Sequence, residues 1–281
     1  MGGKTVVITG GTSGIGEIAA ETLAIMGARI VLIARDRVRG DATLARLHIH
    51  APNLAHAIYF ADLTRLSEME RVAAQVATNE PPIDVLINNA GALFGTRRLT
   101  EDGLESTFAL NHMAYFVLTE KLRERLLAAG AARVINTASA SHQGAALDFD
   151  DLQSAQSFGA VKAYGRSKLC NILLTRELAP RLRGTGVTAN CLHPGFVATR
   201  FGDQSGGLIS YFTWFAKFFA ISPVKGAETI VYLASSPEVA ATTGQYFYKC
   251  RRTTPSLSSR DDRLALMLWQ RSAALAGMAE D

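Results

Sequence analysis

A tyrosine and a lysine stand four residues apart in Tyr164-Gly165-Arg166-Ser167-Lys168. On a helix, positions i and i+4 share a face, so the phenol and the ammonium would point the same way. A phenol has a pKa of about 10 and is a poor base at neutral pH. A nearby cation favours the phenolate, and a drop of ~3 units needs about 4 kcal/mol of differential interaction. A close lysine and a second positive charge in a dry site could supply that. Ser139 comes 25 residues before the tyrosine (164 − 139 = 25), just after the strand-like run Arg133-Val134-Ile135-Asn136. Its hydroxyl could donate a hydrogen bond to a substrate oxygen and stabilise developing charge; it is not placed as a nucleophile. Asn111, in Leu110-Asn111-His112, falls inside a helical stretch. Asparagine is disfavoured there, and it could anchor a water near the lysine to complete a proton relay. His112, His142 and His193 flank these motifs and read as structural; Cys170 reads as a packed thiol. Each motif alone has a bland explanation, since a YxxxK pair is commonly solvated and a serine after a strand is commonly a turn residue.

The chain opens with Thr9-Gly10-Gly11-Thr12-Ser13-Gly14-Ile15-Gly16, after a strand-like run and before a helix-like one. That is the setting of a phosphate-binding turn. Positions without side chains let backbone approach a pyrophosphate, and a helix start offers free N–H groups and a positive dipole end. The spacing Gly10, Gly14, Gly16 differs from G-x-G-x-x-G, but the physics is shared. A dinucleotide bound there would bring a nicotinamide to Tyr164, and its oxidised ring is the second positive charge required above. An acidic residue at the end of the second strand would hold a ribose 2′-hydroxyl. Here that position is Ala34, followed by Arg35. An arginine can pair with a 2′-phosphate, which favours NADP over NAD, although Asp36 is adjacent. Asp62-Leu63 after the third strand could contact the adenine. Asn88-Asn89-Ala90-Gly91 closes the fourth strand with small residues against which a cofactor could lie.

These motifs need a scaffold, and the chain supplies an alternating one. Strands are expected at Thr5–Thr9, Arg29–Ala34, Ala57–Phe60, Val85–Asn88, Arg133–Thr137, Val187–Leu192 and Gln245–Tyr248. Most are continuous apolar runs, as in strands buried on both faces. Helices are expected at Ile15–Met26, Arg37–Ile49, Leu66–Thr78, Gly103–Ala128, Ser157–Leu182 and Lys225–Ala234, with a last one near residues 261–274. Strand–helix alternation implies right-handed crossovers in a doubly wound α/β fold of Rossmann type, with a parallel seven-stranded sheet. With no linker or repeat in view, residues 1–281 read as one domain. The composition, 48% hydrophobic and 19% charged, supports a large core and argues against disorder. The net charge of +4 comes from scattered basic residues without a basic stripe, so nucleic acid is not an expected partner; the positive field would help attract an anionic cofactor. Three widely spaced cysteines, Cys170, Cys191 and Cys250, form neither a zinc pattern nor a disulfide framework. A reducing, cytoplasmic compartment is expected, with no metal site, signal peptide or transmembrane segment.

The ordered set clearly resembles the short-chain dehydrogenase/reductase family over residues 4–250. The resemblance rests on Thr9-Gly10 through Gly16, Asn88–Gly91, Asn111, Ser139, Tyr164 and Lys168. His193-Pro194-Gly195, Val197 and Thr199 are similar to the family's segment over the nicotinamide. It implies catalysis by Asn111, Ser139, Tyr164 and Lys168, with Tyr164 and Lys168 also contacting the cofactor. A finer resemblance, to retinol dehydrogenase-like and WW-domain oxidoreductase-type enzymes, rests on Asp151-Leu152-Gln153 between Ser139 and Tyr164. It also rests on Ser167–Asn171, Arg176-Glu177-Leu178 and Asp262…Leu268-Trp269. The long Ser139–Tyr164 interval would form a wall of the substrate pocket. Ala138 stands where a serine is frequent, and the membrane anchor of several animal retinol dehydrogenases is not expected here.

Residues 208–221 are apolar and aromatic-rich, with Lys217 in their middle. A substrate lid over about 202–222, a buried packing helix and a surface touching membrane lipid all fit this composition. The expected activity is hydride transfer between NADP and a hydrophobic aldehyde, ketone or alcohol, retinal-like or otherwise lipophilic. The alternative is an NADP-binding sensor or interaction protein with little turnover, against which the intact Asn–Ser–Tyr–Lys set argues. By analogy with relatives that pair through their long helices, the assembly would be a homodimer or homotetramer.

Overall fold

Strands that are apolar at consecutive positions must be covered on both faces, and this chain achieves that with a single sheet. A computed structural model describes residues 1–195 and 222–279. Its parallel strands are β1 (Thr5–Thr9), β2 (Arg29–Ala34), β3 (Ala57–Phe60), β4 (Val85–Asn88), β5 (Arg133–Thr137), β6 (Thr188–Leu192) and β7 (Tyr246–Tyr248). The order is β3-β2-β1-β4-β5-β6-β7-β8. The last strand, β8 (Arg251–Arg252), is antiparallel to β7. The sheet therefore has one strand more than expected. Two arginines carry no strand periodicity. What forms them into a strand is the Lys249-Cys250 turn, where both residues are left-handed at φ 49° and 58°, the pattern of a two-residue hairpin.

The helices α1 (Gly14–Ile25), α2 (Arg37–His50), α3 (Leu66–Asn79) and α7 (Ala160–Arg181) fall within three residues of expectation. The stretch expected as one helix over Gly103–Ala128 is instead broken. Gly103 is left-handed at φ 75°, and helix begins only at α4 (Ser106–Phe108). There the buried Glu105 carboxylate accepts the Thr107 and Phe108 N–H groups at 2.8 and 2.9 Å. A π-helical turn, Ala109–Met113, follows, then α5 (Ala114–Lys121) and α6 (Arg123–Ala128). Apolar periodicity alone does not register a π turn. Beyond the undescribed segment come α8 (Pro223–Ser235) and α9 (Asp262–Leu275).

Two apolar layers sandwich the sheet. On one face Leu23 of α1 and Ile230 and Leu233 of α8 pack on Val6, Ile8 and Ile30. On the other, Met69, Phe116, Leu169, Leu173 and Trp269 pack on Val7, Leu86 and Val134. The C-terminal α9 is fastened to α7, with the Arg181 guanidinium 4.2 Å from the Trp269 ring centroid. Between β4, β5 and α7 runs a buried polar ladder. Asn88 donates to Thr119 Oγ1 and Asn136 Oδ1, and Asn136 donates to Thr175 Oγ1, at 2.9–3.0 Å. Buried polar groups matched in this way fix one register, here the height of α7 against the strand ends. No described helix is long and apolar enough to cross a membrane.

Candidate active site

The strand order turns at β1 and β4, whose onward neighbours lie in opposite directions. Such a switch point opens a crevice at the carboxyl ends of the strands. A cleft of about 690 Å³ lies there, lined from Gly10 to Gly195. Its floor at one end is the β1–α1 turn. Gly10 and Gly14 are left-handed, at φ 66° and 59°. A Cβ on Gly16 would stand 2.3 Å from Gly10 O and 2.4 Å from Asn89 Nδ2, so backbone packing leaves no room for a side chain. Thr9 Oγ1 accepts the N–H groups of Asn89 and Ala90 at 2.9 and 3.0 Å, and Asn89 Nδ2 donates to Gly10 O at 3.2 Å. These bonds join the turn to the loop after β4. Ser13 occupies the N-cap of α1 yet makes no side-chain cap bond. A helix start with an uncommitted hydroxyl and a glycine cradle fits a pyrophosphate. Gly10, Thr12, Ser13, Gly14, Ile15, Asn89, Ala90 and Gly91 all line the cleft, and Gly16 lies beneath them.

The end of β2 contributes Arg35, which is exposed and lines the cleft. Arg39, one helical turn on, lines it too. Sequence reasoning passed over Arg39, although its i+4 spacing from Arg35 was visible. The Asp36 carboxylate is engaged elsewhere. It accepts the Arg39 N–H at 3.0 Å and pairs with the Arg39 guanidinium at 3.1 Å, contacts that hold its carboxyl below the usual range. Asp62 and Leu63 also line the cleft, and Asp62 closes its own turn by accepting from Thr64 N and Oγ1.

At the other end stand Ser139, Tyr164 and Lys168, with Thr137, Ser141, Pro194 and Gly195 beside them. Three chain segments meet here. Lys168 is almost wholly buried and donates to Thr137 O at 3.0 Å; its Nζ sits 5.7 Å from the centroid of the Tyr164 ring. Burial brings its ammonium down to about 7. Burial also pushes the Tyr164 phenol up to about 12, with hydrogen bonding to Ser139 the opposing influence. In the chain alone, then, burial is the largest influence on the phenol. The tyrosine holds its proton at neutral pH and is an acid.

Asn111 is fully buried and stands one layer behind the cleft wall, in the π turn. Its amide accepts from Ala92 N (2.9 Å) and donates to Ala92 O (3.0 Å) and Ser167 Oγ (2.9 Å). It thus pins the loop after β4 to α7 beside Lys168. Gly91 fits between: a Cβ there would stand 3.2 Å from Asn111 Oδ1 and 3.4 Å from Lys168 Nζ. Asn171 was also missed; its Nδ2 shares the Thr137 carbonyl with Lys168, at 3.2 Å. Val197, Thr199 and, apart from Ser222, the expected lid over about 202–222 lie outside the described residues.

The Asp151-Leu152-Gln153 segment does not line the described cleft, whose wall on that side is Ser139, Ser141 and Tyr164. Leu152 is buried in the main core. Gln153 accepts the Glu105 N–H at 2.7 Å, and Arg166 donates to Asp151 O at 3.2 Å. The insertion braces α4 against α7.

The sequence profile described as "short chain dehydrogenase" matches residues 4–206. The chain belongs to the short-chain dehydrogenase family. Within that family it is of the retinol dehydrogenase-like branch: it is 37% identical to retinol dehydrogenase 14 of Homo sapiens, over 99% of this chain and 88% of that one. An uncharacterised protein from Mycobacterium paratuberculosis superposes with a TM-score of 0.78 at 28% identity, covering 99% of this chain and 94% of that one. An actinorhodin polyketide ketoreductase solved with NADPH superposes at 0.67 and 26% identity, covering 87% and 94%. As a short-chain dehydrogenase, the chain is an oxidoreductase of alcohol and carbonyl groups that uses a nicotinamide cofactor.

Proposed function

We propose that this short-chain dehydrogenase uses NADP and acts on a hydrophobic aldehyde, ketone or alcohol. The observation that carries this reading is the meeting of Ser139, Tyr164 and Lys168 at one end of a cleft whose other end is a glycine cradle. Arg35 and Arg39 support the choice of NADP: two guanidinium groups line the cleft after β2, while the Asp36 carboxylate between them is held by Arg39. Leu93 and Phe94 line the same cleft and support an apolar substrate. NADPH, when bound, supplies the hydride to the carbonyl carbon. Ser139 and Tyr164 hold the carbonyl oxygen by hydrogen bonds, and Tyr164 gives it the proton that completes the alcohol. The phenol is well suited to this direction, since an ordinary phenol is already protonated at neutral pH and burial raises it further. Lys168 grips the nicotinamide ribose and, with Asn111 behind it, returns a proton towards Tyr164. In oxidation the same groups run in reverse, with Tyr164 as base.

The test is a screen of aliphatic, aromatic and polyene aldehydes with NADPH and with NADH, read by loss of cofactor absorbance and accompanied by titration of each cofactor. Turnover of apolar carbonyls with a preference for NADPH is expected. Tight NADPH binding with no turnover on any carbonyl would favour a cofactor sensor instead. Self-association belongs to the same proposal and is read by light scattering of the purified chain; because α9 already packs on α7 and Ala114–Thr119 of α5 are buried within the chain, it would use a face other than those two helices.

A further inference from the structure

His142 has the geometry of a positioning group. Its ring is fully buried. One nitrogen, Nδ1, is 2.7 Å from the carbonyl oxygen of Ser139. The other, Nε2, is 3.1 Å from the backbone N of Ser256. Both partners have fixed roles, because a carbonyl can only accept and a backbone N–H can only donate. The proton must therefore be on Nδ1 and the lone pair on Nε2, and the ring must be neutral.

The carbonyl it holds belongs to the residue that meets the substrate oxygen in the function proposed above, and this inference rests on that reading. Ser139 is extended and leads into a short 3₁₀ turn, Ala140–His142. Its carbonyl takes two donors, both from residue 142: the main-chain N–H at 3.1 Å and the ring at 2.7 Å. Its hydroxyl accepts from the Ser141 N–H at 3.1 Å. On the opposite side the turn lies against α7 at Gly165, where a Cβ would stand 2.6 Å from Ser141 O. The turn is therefore gripped from two directions, by α7 and by a bridge through His142 to the segment after β8. The face of the ring's neighbourhood is apolar and aromatic: Tyr246 meets it edge-on at 5.2 Å, above a small core of Ala138, Ile172 and Cys191.

We propose that His142, as the Nδ1–H tautomer, is a positioning residue for Ser139, setting the height of its hydroxyl relative to Tyr164. Without the ring donor the turn keeps one hydrogen bond fewer and can slide along α7. A displacement of about 1 Å at a group that orients the reacting atom can cost on the order of a hundredfold in rate.

Two substitutions separate the halves of the bridge. His142→Asn keeps a donor near the place of Nδ1 and cannot reach Ser256. His142→Gln can offer an acceptor to Ser256 but has no donor for Ser139. Both should lower Tm similarly. His142→Gln should lower kcat at least about tenfold and His142→Asn no more than about threefold, with the NADPH Kd of each within about twofold of the parent, because only the first misplaces the serine. Equal loss of kcat in the two variants, or loss matching the unfolded fraction, would overturn the proposal. A parent chain that binds NADPH but reduces no carbonyl would sink the oxidoreductase reading instead. The positioning role would then be read by ¹⁵N spectroscopy. Expected are a protonated Nδ1 and a bare Nε2 for His142, and a Ser141 amide that shifts in His142→Gln far more than in His142→Asn. A proton on Nε2, or equal amide shifts, would count against it.

Discussion

The two ends of the cleft are built from different materials. At the nucleotide end the wall is backbone: Gly10 and Gly16 bring main chain against Asn89 and Ala90, and Gly14 turns the chain between them at φ 59°. All three lie within seven residues of one another and are shaped by a single strand–turn–helix unit. At the proton-transfer end the wall is side chain. Ser139 follows β5, Tyr164 and Lys168 sit on α7, and Asn111 comes from the π turn between α4 and α5. These groups are held by buried contacts that span 19 to 56 residues of sequence, among them Asn111 with Ala92, Lys168 with Thr137 and Asn111 with Ser167. A backbone cradle tolerates change in its surroundings but not a Cβ within it. A side-chain constellation tolerates neither the loss of a group nor a shift of the elements that carry it. Binding and chemistry should therefore be separable by mutation.

The largest separation is expected from Tyr164→Phe. Removing the proton donor should lower turnover at least ~100-fold, in the range for lost general acid–base catalysis. NADPH affinity, measured by fluorescence titration, should be kept. Near-normal turnover would remove Tyr164 from its role. The mirror experiment is Gly16→Ala. Its methyl group would clash with Gly10 O and Asn89 Nδ2. Overpacking of about 1–3 kcal/mol corresponds to a ~5–150-fold weaker NADPH Kd if the cradle yields. An unchanged Kd would show that the turn is not the phosphate site. Arg35→Asp acts at the same end more gently. It should move the ratio of NADPH to NADH affinity by roughly tenfold towards NADH, the scale of one charge-assisted contact. A ratio that stays put would shift the assignment to Arg39.

The smallest effect concerns stability. Burial lowers the Lys168 pKa from 10.5 to about 7, so the unfolded chain binds more protons than the folded one between those values. Folding stability must then rise with pH across the window, and the full penalty of burying the ammonium applies below about 7. Lys168→Met should abolish turnover yet raise Tm at pH 6, with the advantage fading as the pH rises from 7 to 10. A Tm below that of the parent at pH 6 would mean that the bond to Thr137 O outweighs the buried charge.

The difference between the two ends also explains what could be read in advance. The glycine turn was legible because its residues are contiguous and each glycine answers a local need of the main chain. Tyr164 and Lys168 were legible because one helical turn separates them. The π turn under Asn111 was not, since its i+5 bonding leaves no periodic trace. Nor was β8, whose two arginines have no strand pattern and depend on the left-handed Lys249-Cys250 turn. The bracing role of Asp151-Leu152-Gln153 was hidden because it depends on a partner, Glu105, 48 residues away from Gln153.

By itself the sequence determined the alternation of strands and helices, the phosphate cradle, and which residue types could move a proton. Those features depend on hydrophobic period and local backbone need, which neighbouring residues encode. Only the tertiary structure decided how far the pair departs from its ordinary values, with burial raising the Tyr164 phenol and lowering the Lys168 ammonium. It alone decided which atoms Asn111 and His142 engage. Burial and long-range hydrogen bonding belong to the packed chain, and no short stretch of sequence contains them.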